Sequence, residues 1–202
     1  MVFSVAFKED KVIEESFEKF TKEFEEFYNI REAYSKPQIF ILENRESVNQ
    51  MLKRITPDWL VGWAERKNVY ILEKSAFVKE INDEDYAKLI KHELNHCYFY
   101  MVSNYCDKPR WLFEGIAIYL SGQLDKRLKP DVYKNFLNYY DNSDDNVYKE
   151  SGFAVEFLIK YYGKPKFLEL IRGLKYIASK EKFVLLFKEV YGFDLKYDNF
   201  KV

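Results

Sequence analysis

The sequence predicts an α+β fold: an N-terminal half with a small mixed β-sheet and a helix bearing both histidines, then an all-helical C-terminal half, with a cleft between the two. Three observations carry this expectation. Short apolar runs rich in β-forming residues occur at 38–42, 59–64 and 69–72, and the remainder reads as helical. From about residue 84 onward, apolar residues recur at three- and four-residue spacing, the period of a helix with one buried face. The only two histidines, His92 and His96, stand four residues apart inside the first of these helical stretches.

Taken in order, the first element is an amphipathic helix over Asp10–Tyr28. Ile13, Phe17, Phe20, Phe24 and Phe27 fall at helical spacing, and lysines and glutamates fill the other face. Pro37 introduces the strand Gln38–Leu42. Glu46–Ile55 fits a helix with Val48, Met51, Leu52 and Ile55 inward, ended by Pro57. Trp59–Ala64 and Val69–Leu72 then form a hairpin joined by Glu65-Arg66-Lys67-Asn68. The histidine helix spans Glu84–Val102, capped by Asp83 or Asp85, and is apolar over much of its circumference, so it belongs in the core.

After a polar loop at 104–110, Trp111–Ser121 forms the next helix, with Gly122 at the C-terminal cap. Asp131–Tyr140 is expected as a helix and 141–146 as a loop. Glu150–Tyr162 stops at Gly163, and Pro165 opens the following helix, which runs to Leu174. Ser179–Tyr191, closed by Gly192, is the last. No internal repeat or low-complexity linker interrupts the chain, which reads as one unit of two subdomains, 1–104 and 105–202.

Composition narrows the class. In 202 residues, 48% hydrophobic content with 17 tyrosines and 18 phenylalanines points to an aromatic-rich core rather than disorder. A net charge of −1, evenly spread, leaves no basic stripe for nucleic acid. No apolar run is long enough for a membrane span, and Met1–Asp10 turns acidic too soon for a signal peptide, so a soluble, cytoplasmic protein is expected. In that compartment Cys97 and Cys106 are expected as reduced thiols. Cys97 lies about 100° around the helix from His96 and points into the core, and Cys106 sits in the loop after the helix. A disulfide between them stays open.

The chemistry is concentrated in His92-Glu93-Leu94-Asn95-His96. Two residues four apart project from one helical face, so both imidazoles can grip one metal ion, and Glu93 can reach a water on it. Chance would place a lone histidine pair at this spacing, with the glutamate, in roughly one chain in a thousand. A catalytic zinc takes three protein ligands and keeps a fourth position open. Pro109-Arg110-Trp111-Leu112-Phe113-Glu114-Gly115-Ile116-Ala117 offers the third: Glu114 lies 18 positions after His96, far enough for a turn and a second helix. Its neighbours are apolar, and a lone carboxylate among them is costly unless paired or metal-bound.

HELNH followed by W-L-x-E-G-x-A resembles the gluzincin zinc metallopeptidases, in particular the peptidase MA-like, minigluzincin type, over roughly residues 38–176. The resemblance implies a thermolysin-like cleft and one Zn2+ held by His92, His96 and Glu114. It also implies peptide-bond hydrolysis through a zinc-activated water, with Glu93 as general base. Extended peptide or protein substrate would pair with an open strand edge through the backbone of Gly62, Trp63 and Ala64. Val147–Gly152 resembles the segment that follows the glutamate helix in aminopeptidase-type members, which implies that the Tyr148 hydroxyl bonds the oxyanion. Two departures stand out. Ile118 occupies the position of an aspartate that supports a histidine ligand in many gluzincins, so the partners of the imidazoles stay unidentified. Gly62-Trp63-Ala64-Glu65 is similar to the G-x-M-E-N strand of aminopeptidases but has Ala64 and Arg66 where that motif has Met and Asn.

Three alternatives remain at the level of sequence. The chain is a latent zymogen or zinc-binding scaffold, its cleft plugged by the N-terminal helix, by the 141–146 loop or by Cys106. It is an aminopeptidase rather than an endopeptidase. Or it is a metal-free helical interaction protein.

Overall fold

The computed structural model describes residues 11–30, 36–142, 144 and 146–200. Helix α1 is Lys11–Tyr28, and Asp10, where the sequence expectation begins, lies outside the described residues. Phe20, Phe24 and Tyr28, each four residues on, are buried against the core. Strand β1 (Gln38–Leu42) follows, and then α2 (Arg45–Leu52), where the Asn44 side chain accepts a hydrogen bond from the Ser47 amide.

Helix α2 is shorter than expected. Lys53 takes a left-handed conformation (φ 54°), and Ile55, expected inward, is 92% exposed. The reason is local competition for Asn49, whose side-chain oxygen accepts from both the amide and the hydroxyl of Thr56 (2.8 and 2.7 Å). That turns the chain back and buries Thr56 instead.

The hairpin is present with different limits. Strand β2 is Gly62–Glu65 and β3 is Asn68–Leu72, so the turn is two residues, with Arg66 at positive φ. Trp59–Val61 stay outside β2. A turn brings the Leu60 amide to Pro57 O (3.0 Å), and Arg45 holds the carbonyls of Asp58 and Leu60 (2.9 and 2.5 Å). The sheet order is β1-β3-β2, with β1 parallel and β2 antiparallel to β3. Three strands of mixed sense in the first 72 residues match the small mixed sheet expected.

Helix α3 (Asp83–Ser103) carries the histidines. Its cap is Asn82, which accepts from the Asp85 amide (2.8 Å), rather than either aspartate. The aspartates lie within the first turn, where negative charge suits the helix N-terminus. Helix α4 (Arg110–Ser121) ends at Gly122, whose φ of 77° favours glycine.

The helix expected over Asp131–Tyr140 is absent: the segment is irregular apart from one 3-10 turn at Phe136–Asn138. Its backbone is bonded elsewhere. The buried Glu150 carboxylate accepts from the amides of Lys134, Asn135 and Phe136, and the carbonyls of Tyr139 and Tyr140 accept from the first two amides of α4. Tertiary partners outbid the local i to i−4 bonds.

Helices α5 (Val147–Tyr162), α6 (Lys164–Gly173) and α7 (Lys180–Tyr191) complete the chain. α4 and α5 approach closely at Gly115, where a Cβ would stand 2.6 Å from the Ser151 carbonyl oxygen. One apolar core runs from α1 and β3 through α3, α4 and α5 to Phe183, Phe187 and Phe200. No helix among the described residues is long and apolar enough to cross a membrane.

Candidate metal centre

Two helices build the site. On α3, His92 and His96 are one turn apart, and their rings meet edge to face with centroids 4.8 Å apart. On α4, packed against α3, Glu114 directs Oε2 at both imidazoles: 3.4 Å to His92 Nε2 and 3.6 Å to His96 Nε2. One donor atom from each side chain lies within 4.8 Å of the other two, and all three residues are buried, so the group could hold a metal ion. Both Nδ1 atoms are buried without a hydrogen-bond partner.

The electrostatics follow from burial and mutual proximity. Burial alone would raise the Glu114 carboxyl, but His96 and His92 beside it outweigh that and hold it well below the usual carboxylate range. Burial would lower His92, yet Glu114, with Glu93 and Gln123 adding, moves it above the ordinary imidazole value. For Glu93 burial wins over the two histidines and pushes its carboxyl up.

Glu93 is buried next to the ligands and outside the triad itself. Strand β2 covers it: a Cβ on Gly62 would come within 3.2 Å of Glu93 Cγ and 2.7 Å of Ile71 Cδ1. Glycine is therefore required here by the approach of β2 to α3. The Leu72 amide donates to Val61 O (2.8 Å), which makes 61/72 a hydrogen-bonded pair. Alternation along the antiparallel register then turns the backbone groups of Gly62 and Ala64 away from β3, and those of Trp63 toward Tyr70. Trp63 was expected to offer its backbone along with the other two; it is committed to the sheet. Among the described residues no strand pairs with the outer side of β2.

Tyr148 lies in the first turn of α5, half-buried against the core, and its carbonyl accepts from Arg127 (3.0 Å). Cys97 is buried in the core as expected, and Cys106 is partly buried beyond α3; both are free thiols. Of the 141–146 loop, residues 143 and 145 lie outside the described residues.

Sequence reasoning missed three neighbours of the triad. Arg110 pairs with Glu114 Oε1 (2.5 Å) from one turn earlier on α4, and i,i+4 spacing of opposite charges was a readable signal. Phe113 stacks on His96, with centroids 4.0 Å apart and planes 7° off parallel. Gln123 reaches His92 from the 3-10 turn after α4. Neither of the last two has a signature in the sequence.

Comparison with protein-family models, with curated proteins and with solved structures finds no match for this chain. Fold and site together define an α+β protein whose buried His92, His96 and Glu114 could hold a metal ion.

Proposed function

We propose that the chain is a zinc metallopeptidase of the gluzincin type, with peptide lying in a thermolysin-like cleft beside α3. The observation that carries this reading is the convergence of His92 Nε2, His96 Nε2 and Glu114 Oε2, with the Glu93 carboxylate left outside that set beneath β2. Two imidazoles and a carboxylate are a donor set suited to zinc, and three protein ligands leave a position open. A zinc ion held there would bring the pKa of a water toward neutrality and polarise a carbonyl.

The remaining work falls to the chain's own groups. Glu93 accepts the proton of the attacking water as its oxygen bonds to the scissile carbonyl carbon, then delivers it to the departing amine. Glu93 is buried beside the ligands without being one of them, which leaves its carboxylate available to a water on the ion. The outward N–H and C=O groups of Gly62 and Ala64 receive extended substrate backbone, so binding depends little on side-chain identity. Tyr148 donates its hydroxyl to the developing oxyanion.

Glu93→Gln tests the assignment. The variant is expected to bind one zinc like the wild type and to cleave a peptide library about 10²–10⁴ more slowly. Wild-type rates in that variant would remove Glu93 from the mechanism. Protein purified without added metal that contains no zinc and takes none up would remove the centre.

A further inference from the structure

We propose that Arg110 is a positioning residue that restricts Glu114 to one-oxygen ligation; the inference rests on the metal-centre reading above. Glu114 divides its two oxygens between different partners: Oε2 faces both imidazoles, and Oε1 is held by the Arg110 guanidinium. An oxygen engaged by a charged donor is a poor second ligand, so the carboxylate binds through Oε2 alone and the open position is preserved.

Arg110 is itself fixed from two further sides. Asp107 accepts from its other nitrogen at 3.3 Å, and the guanidinium lies over the Phe113 ring, 4.6 Å from the centroid. Phe113 stacks on His96. Phe113 thus contacts both the guanidinium that clamps the third ligand and the imidazole of the second. Such a device fits a site where both imidazole Nδ1 atoms lack a hydrogen-bond partner and Ile118 offers no polar atom. At His96 the stacked Phe113 ring takes over the orienting role that a hydrogen bond usually fills around metal-bound histidine, while Gln123 reaches His92.

The test is cobalt(II) substitution of the full-length protein, read by visible absorption, with zinc affinity measured by competition against a chromophoric chelator. Four-coordinate cobalt absorbs far more strongly than five- or six-coordinate cobalt. Arg110→Met keeps the contact with Phe113 and frees Oε1, so its cobalt bands are expected to weaken several-fold at unchanged stoichiometry. Arg110→Lys restores part of the intensity. Phe113→Leu leaves the arginine but removes the ring that contacts it and His96, and is expected to lose about 10-fold in zinc affinity. Arg110→Met with bands that superimpose on the wild type overturns the proposal. If that variant does not fold, Arg110→Gln, which removes the charge facing Oε1, decides, and bands there that superimpose on the wild type overturn it equally. Wild-type protein that binds neither metal overturns the centre as well, which separates the two failures.

Discussion

Histidine spacing was the strongest signal in the chain because it is a local property. Two side chains four apart on one helix must share a face, whatever else folds around them. Charge state is less local. In the protein alone, His92 is raised by Glu114 and Glu93 against its burial, and Glu114 is lowered by the two histidines against its own. The sign of the pH dependence follows from both. A raised histidine contributes stability that is full below its unfolded pKa, about 6.5, and is lost as pH rises through the higher folded value. A lowered carboxylate contributes stability that is full above its unfolded pKa, about 4.3, and is lost as pH falls through the lower folded value. From these two groups metal-free protein is expected to lose stability above about pH 6.5 and below about pH 4.3. The Glu93 carboxyl, raised by its burial, has the opposite sign to Glu114 and removes stability as pH rises from about 4.3 through its higher folded value. Zinc requires neutral imidazoles, so the zinc-loaded protein should instead gain stability as pH rises through the imidazole range. Urea midpoints across pH 4–9, with and without zinc, check this, and parallel curves would contradict it.

At the scale of elements, sequence reading succeeded where each segment settles its own hydrogen bonds. α1, β1, α3, α4, α6 and α7 appear close to their expected limits, with Gly122 and Gly192 at left-handed caps. It failed at 131–140 because the amides there bond to the Glu150 carboxylate, 14 to 16 positions away. No helical period can report a partner at that distance. Glu150→Ala removes the shared acceptor of three amides, of which that of the buried Phe136 is left unpaired, and is expected to cost about 2 kcal/mol. Glu150→Gln keeps one acceptor oxygen and should cost less. Urea unfolding of the two variants measures the difference, and a loss below about 0.5 kcal/mol for Glu150→Ala would contradict this account of the segment. The late start of β2 has the same kind of cause, since Arg45 on α2 holds the carbonyls of the turn before it.

Over the whole molecule, the candidate centre lies where α3 and α4 meet, inside a core that is continuous from α1 to Phe200. Metal binding there would tie two helices of one cooperative unit, so affinity for the ion adds to folding stability. Zinc at 100 times its dissociation constant stabilises by about 2.7 kcal/mol, roughly 5–10 °C in thermal midpoint for a chain of this length. A chelator should remove that increment and added zinc should restore it. A midpoint indifferent to both would count against the centre. The same core explains why Glu114 was legible as a ligand but its clamp was not weighed. An isolated carboxylate in an apolar helix raises the question of a partner, and only packing shows that it has two kinds, imidazoles on one oxygen and a guanidinium on the other.

By itself the sequence determined the α+β class, most helices, the shared face of His92 and His96, and Glu114 as the next carboxylate that apolar surroundings leave in need of a partner. These follow from periodicity and from the cost of burying charge, which act over a turn or two of chain. Tertiary structure alone decided which oxygen of Glu114 meets the histidines, that Gly62 passes over Glu93, and that Trp63 spends its backbone on β3. Those are distances between segments remote along the chain, and they exist only once helices and sheet have closed on a common core.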